Sequence, residues 1–300
     1  MPAGVYVGTD DGLYVLRPTE RLDLPGRRLR SLVDDGSTVW AVVGDSEVYK
    51  AGVAGIWRHV IRVRNATVTC IYPSPAGVLI GTAGAHLYRW RSHRLEPVES
   101  FELIEGRTKW HTPTGDPPSV RSIGIDHDGT IFVSVYVGGI MRSTDDCATW
   151  QPMAELTESV QQAIVLPGAD DPLLAATERG LSTSWDHVKK WNHRALGLDG
   201  PYCSAVAVCD DTVLVCASEG PDARRAALYR GSLEGVRFER CGEGAPELDG
   251  NLDPACLSGA GQHAVVGTPD GSVYLSSDAG RTWDVLAEGL PPVRCVLVRP

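Results

Sequence analysis

Three arginines recur at one position of short apolar runs. Arg30 follows Leu29 and leads Ser31-Leu32-Val33, Arg121 follows Val120, and Arg294 follows Val293 ahead of Cys295-Val296. A guanidinium offers a rigid fork of donors that grips carboxylate or phosphate in paired hydrogen bonds, so three at one opening would form an anion clamp. The alternative is pairing with local Asp or Glu side chains, which would only tie neighbouring segments together. Tyr136, Tyr202 and Trp110 could add flat apolar walls for a ring or sugar, or could pack on a rim. His111, Asn251 and Asp253 would complete such a ligand-binding set with polar groups.

Acid–base chemistry has its own candidates. His111, beside Trp110, is the most site-like of the eight histidines. Glu178, Glu219, Asp249 and Asp253 are carboxylates in irregular segments. Glycoside hydrolysis needs two carboxyls about 5–10 Å apart, a separation that a sequence does not measure. His111, Glu178, Glu219 and Asp253 are therefore the catalytic candidates of an enzyme reading. The histidines do not recur at one repeat position, no Cys-x-x-Cys pair occurs, and no Cys/His cluster has zinc spacing. Neither a metal nor a cofactor is expected.

The elements that must position these residues are short. The chain has 300 residues, with 28 Lys+Arg against 38 Asp+Glu and a formal net charge of −10. That balance argues against a generic nucleic-acid or anionic-membrane surface. A 43% hydrophobic and 22% charged composition fits a folded chain with a large core. No window approaches the apolar length of a membrane span, and Val5 and Tyr6 already read as strand, so a cytoplasmic protein is expected. Cys70, Cys203, Cys209, Cys216, Cys256 and Cys295 lie in apolar runs, where Cys acts as a small hydrophobe, and reduced structural thiols are expected.

Internal repetition organises the chain. One unit reads as a short apolar strand, a turn, a second apolar strand ending near Gly, a Gly-(Leu/Ile)-Tyr-type strand, and a strand around Trp. The clearest copy runs from Val120 through His127-Asp128-Gly129 and Gly138-Gly139-Ile140 to Trp150. Equivalent units start near Leu29, Val68, Val160, Cys203 and Cys256, although the last start is weak. The N-terminus begins mid-unit with Val5-Tyr6-Val7-Gly8-Thr9, and the C-terminus stops after a lone first strand from Val293 to Val298. Joined, these pieces make a seventh unit. The pattern predicts an all-β, seven-bladed β-propeller with four-stranded antiparallel blades. It would be a single domain over 1–300, closed by 293–300 joining the N-terminal blade of 1–25.

Ser276-Ser277-Asp278-Ala279-Gly280-Arg281-Thr282-Trp283 resembles the Asp-box, or bacterial-neuraminidase repeat, of pattern S-x-D-x-G-x-T-W. Ser143 to Trp150 is similar, with Cys147 in place of Gly, and Ser184, Asp186, Val188 and Trp191 keep the spacing with Val in that place. The chain thus looks like the compact seven-bladed members of a class that includes sialidases, sortilin-type receptors, xyloglucan-active hydrolases and the photosystem II assembly-factor group. The resemblance implies a structural turn between third and fourth strands, its Asp bonding turn amides. Sialidases also carry an Arg-Ile-Pro-type segment on a six-bladed frame, and this chain has no such segment.

In such blades the loops entering first strands and those joining second to third strands open on one face, around a central channel. The segments 101–119 and 242–253 lengthen two units and should meet there from opposite sides, with loop 219–225 beside them. Two functions follow. The first is a ligand- or protein-binding propeller that recognises an anionic partner or small molecule at the channel mouth. The second is a glycoside hydrolase- or lyase-like enzyme acting on a sugar or small anionic metabolite in the same pocket.

Overall fold

Apolar runs of four to eight residues, cut by Gly, Asp and Pro, are too short for stable helices and suit strands. The computed structural model describes the chain except residues 1–2, 53, 111, 113–114, 116, 154–155, 157–158, 167–171, 186–189 and 300. Among the described residues it forms seven sheets of four antiparallel strands. Blades 1 to 6 span 29–62, 68–97, 120–152, 160–194, 202–240 and 257–287. The closing blade is made from both ends of the chain: Val293–Arg299 pairs with Gly4–Thr9, matching Gly4 to Arg299 and Val7 to Val296. The weak sixth start has a local cause. A 3-10 turn, Pro254–Cys256, occupies the usual place of the first residues, and only Leu257–Ala260 is strand.

Second strands such as Val39–Val43, Ile131–Val135 and Leu173–Thr177 are buried along their whole length, because neighbouring blades cover both faces. The core is therefore distributed between blades. Val42 and Val48 pack with Ile71 and Val78 between blades 1 and 2. Val265 and Leu275 pack with Val7 and Val296 between blade 6 and the closing blade.

Polar side chains stitch the inner strands together. Ser122 Oγ accepts from the Ala163 amide at 2.7 Å, Gln162 Oε1 from Val206 at 2.8 Å, and Ser258 Oγ from Val298 at 3.1 Å. Thr69 Oγ1 donates to the Val120 carbonyl at 2.6 Å, and Arg299 Nε donates to Asp34 at 2.8 Å. Close approach is also built from Gly. A Cβ on Gly81 would lie 2.5 Å from Val120 Cγ1, and one on Gly267 would lie 2.4 Å from Val293 Cγ1. Each glycine thus admits the first residue of the next inner strand.

On the opposite face from the channel mouth, Asp278 accepts from the Thr282 amide (2.9 Å), the Arg281 amide (3.0 Å), Thr282 Oγ1 (2.7 Å) and Ser276 Oγ (2.8 Å). Asp145 repeats the arrangement with Thr149 and Ser143. Gly280 and Cys147 both hold positive φ, 79° and 70°, so the cysteine occupies a backbone state that favours glycine. Asp186 and Val188 of the third copy lie outside the described residues.

All eight cysteines are free. Burial pushes the Cys70 thiol up to about 12 and that of Cys147 to about 11. No helix among the described residues is long and apolar enough to cross a membrane.

Two outcomes check this packing. Gly81→Ala should cost about 1–3 kcal/mol in denaturant unfolding through overpacking, and Val120→Ala in the same chain should recover part of it. For Asp278, burial works against ionisation, but hydrogen bonds from Thr282, Ser276 and Arg281 outweigh it and hold the carboxyl at about 2, below its ordinary 3.8. Its contribution to stability is complete above 3.8 and is lost as pH falls toward about 2. Acid titration of Asp278→Asn, followed by circular dichroism, should therefore show lower stability at neutral pH and a smaller loss across that window.

Candidate functional site

The recurring position of the arginines has a backbone origin. Leu29 pairs with Val43 and Ser31 with Val42, so Arg30 is an extra residue without a ladder partner. The same shift isolates Thr69, Arg121, Gln161, Ser204 and Arg294 at the start of their inner strands. A β-bulge bends its strand and re-aims the side chain. Six blades thus direct one bulged residue at the channel mouth, and the 3-10 turn of 254–256 takes that place in blade 6. The channel below has a volume of about 380 Å³, and Arg30, Arg121, Thr69, Ser119, Gln162 and Asp253 are among its lining residues.

Electrostatics separates the three arginines. Arg294 grips Asp10 with Nε at 2.9 Å and Nη2 at 2.7 Å, and Arg28 Nε meets the same carboxylate at 3.1 Å. The Arg294 hydrogen bond is the main cause holding the Asp10 carboxyl below its ordinary value, and burial opposes it. Arg30 Nη2 donates to Asp45 at 2.6 Å, although its Nε is buried without a hydrogen-bond partner. A smaller cavity of about 140 Å³ brings Arg28, Arg30 and Arg294 together with Asn251 and Asp253.

Arg121 differs. No ion pair joins it to a carboxylate among the described residues; its guanidinium lies 4.8 Å from the centre of the Tyr136 ring, and its Nε is buried without a partner. Burial pushes the Tyr202 phenol up to about 12, reinforced by Tyr136, Glu178 and Asp222 and opposed by Arg121. Tyr202 therefore stays a neutral donor at physiological pH. The mouth has an ion-paired side, where the closing blade meets blade 1, and a side over blades 3 to 5 where Arg121, Tyr136, Tyr202 and Glu178 come within electrostatic reach.

The other candidates have more local roles. Trp110 is half-buried beside Phe101, ring centres 6.0 Å apart, and the Arg107 guanidinium lies 5.1 Å from its ring centre. Phe101 and Ile104 are buried with Leu79 and Val133, so the 101–110 part of this segment packs on blades 2 and 3. His111 lies outside the described residues. Asn251 accepts from Ser218 Oγ at 2.7 Å and donates to the Gly220 and Pro221 carbonyls, both at 2.9 Å. That amide holds the 219–225 loop against the 242–253 segment, whose Leu248 and Leu252 are buried. Asp253 Oδ1 accepts from the Ala255 amide at 3.0 Å and caps the 3-10 turn. Glu219 and Asp249 are exposed on their loops.

Sequence reasoning did not assign site roles to Thr69, Gln161, Ser204 or Asp222. The first three share the repeat position of the arginines, and that periodicity was the available signal. Asp222 comes near Tyr202 only through folding.

No family model and no curated protein matches the chain. Solved structures do. YCF48 bound to D1 peptide is similar with a TM-score of 0.59 and 13% identity, over 90% of this chain and 93% of that one. A catalytically inactive virginiamycin B lyase from Staphylococcus aureus with quinupristin gives 0.59 and 12%, over 92% and 93%. An ancestral GH74 enzyme gives 0.60 and 14%, covering 98% of this chain and 40% of that one. What these proteins share with this chain is the fold: a seven-bladed β-propeller. At such identities the likeness is one of architecture.

The different settings of the arginines predict stability losses of different size. Arg294→Ala leaves Asp10 without its bidentate partner and should cost about 0.5–1 kcal/mol, whereas Arg121→Ala breaks no ion pair and should change stability by less than about 0.5 kcal/mol. Urea unfolding of both variants checks the contrast.

Proposed function

We propose that the chain is a binding propeller that captures an anionic group at the channel mouth through Arg121, against the rings of Tyr136 and Tyr202. The observation that carries this reading is the Arg121 guanidinium, which has no carboxylate partner among the described residues and keeps a buried Nε without a hydrogen bond. A desolvated cationic donor left unpaired is costly, and an incoming carboxylate or phosphate oxygen offsets that cost. Tyr136 already flanks the guanidinium, and the neutral Tyr202 hydroxyl adds a donor. Glu178 and Asp222 close by favour a ligand with one anionic end and a polar or cationic remainder.

The bulged position of Arg121 supports the same reading, since bulges at rims re-aim side chains for use. So do neighbours of the same architecture: YCF48 is seen with a D1 peptide, and a virginiamycin B lyase with quinupristin. In this reading the whole chain, 1–300, acts as one propeller unit of Asp-box type. Its eight free thiols suit a reducing, cytoplasmic setting.

Benzoate and its neutral counterpart benzamide, titrated calorimetrically, test the clamp. Benzoate should bind the wild type and benzamide should not. Arg121→Gln should weaken benzoate binding by about tenfold or more, in line with loss of a charge-assisted pair. Equal binding of the two probes, or an unchanged benzoate affinity in Arg121→Gln, would overturn the reading.

A further inference from the structure

From Lys50 to Leu95 the chain contains seven Lys and Arg and not one Asp or Glu. The other 21 Lys and Arg face all 38 Asp and Glu elsewhere, a balance of −17. The acid-free stretch supplies the outer half of blade 1 and most of blade 2, so the segregation along the chain becomes a basic sector in an acidic ring.

Strand pairing sharpens the point. Among the described residues five cross-strand pairs join two charged side chains. Three are of opposite sign: Glu47 with Arg62, Arg89 with Glu96, and Arg230 with Glu239. The two like-charged pairs, Lys50 with Arg58 and Arg91 with Arg94, are both cationic and sit in adjacent blades. Like charges directly opposite each other destabilise a sheet, and local rules are broken where function requires it. Arg58, Arg62, Arg64, Arg91 and Arg94 are exposed, and no ion pair joins any of them to a carboxylate among the described residues. Lys50 lies over the Trp40 ring at 5.0 Å. Asp35, on the first turn of blade 1, is used by its own turn amides and by the Trp40 ring N–H.

Charge on an exposed edge also protects against unwanted strand pairing, but Glu would do that as well as Arg, so edge protection does not explain the absence of acids. We propose that this sector of blades 1 and 2 is a docking surface for an acidic, extended polypeptide segment of a partner protein. Trp57–Arg62 is the longest outer strand among the described residues, and it ends its sheet, so its free edge can accept a further strand. The rings among the cations are engaged: Trp40 is buried, Trp57 bonds Asp23 at 3.0 Å, and Trp90 packs against the core between blades 1 and 2. That leaves little stacking surface for single-stranded nucleic acid. An extended polyanion or bilayer would also meet the acidic remainder of the ring, which a short peptide segment avoids.

Fluorescence anisotropy with a fluorescein-labelled peptide of alternating Glu and Thr tests the proposal. Its controls are the Gln-for-Glu peptide, a labelled oligothymidylate and phosphatidylserine vesicles. The Glu peptide should bind in a salt-sensitive manner and the Gln peptide should not. Lys50→Gln/Arg58→Gln and Arg91→Gln/Arg94→Gln, made separately, should each weaken it about tenfold while melting at or above the wild type. Arg240→Gln, on a distant outer strand, should leave the affinity unchanged. The proposal fails if both double variants keep wild-type affinity, if they melt below the wild type, or if oligothymidylate or vesicles bind more tightly than the Glu peptide.

Discussion

The pairing of Val293–Arg299 with Gly4–Thr9 is the constraint on which the rest of the molecule depends. Each blade buries both faces against its neighbours, so a ring opened at that seam would expose the apolar faces on both sides of it. The seam is reinforced by side chains that belong to the two chain ends and to the blades beside them. Arg294 holds Asp10, Arg299 holds Asp34, and Ser258 accepts from the Val298 amide. Backbone ladder, ion pair and inter-blade hydrogen bond thus act at one place, where chain entropy most strongly favours separation.

That requirement accounts for the unequal fate of three equivalent arginines. All three leave the inner wall at the same kind of bulge, so their backbones are alike. Arg294 and Arg30 stand where the closing blade meets blade 1, and aspartates from adjacent second-to-third-strand turns meet them there. Arg121 stands where the corresponding turn of its blade carries Tyr136 instead of an acid. One substitution of turn chemistry separates a side chain that stiffens the ring from one that meets an aromatic ring and no carboxylate among the described residues. Phe101 and Ile104 in one long segment and Leu248 and Leu252 in the other are buried, so both are tied to the blades beneath them.

Charge is organised on two scales. The net balance of −10 describes the whole chain, yet the stretch from Lys50 to Leu95, in the outer half of blade 1 and most of blade 2, holds seven cations and no acid. At physiological ionic strength charges interact over about 8 Å, so a partner approaching one sector senses that sector more than the average. A repeat architecture makes this possible because each blade draws its outer surface from one continuous stretch of sequence.

The blade count, the strand order and the split closing blade were all legible in the sequence, because each strand is set by local alternation and turn residues and each blade is contiguous. The bulged positions were legible too, as a recurring offset, although their backbone cause was not. The turn role of Asp278 was implied by the resemblance of 276–283 to the Asp-box pattern, and its partners Ser276, Arg281 and Thr282 all lie within a few residues. What only the tertiary structure decided is partnership across the ring. Asp10 lies 284 residues from Arg294 in the chain, and Arg121, Glu178 and Tyr202 come from three different blades. No local pattern encodes which carboxylate a guanidinium will meet. That depends on how blades are juxtaposed, and electrostatic pairing falls off over ångströms of space, whatever the separation along the chain.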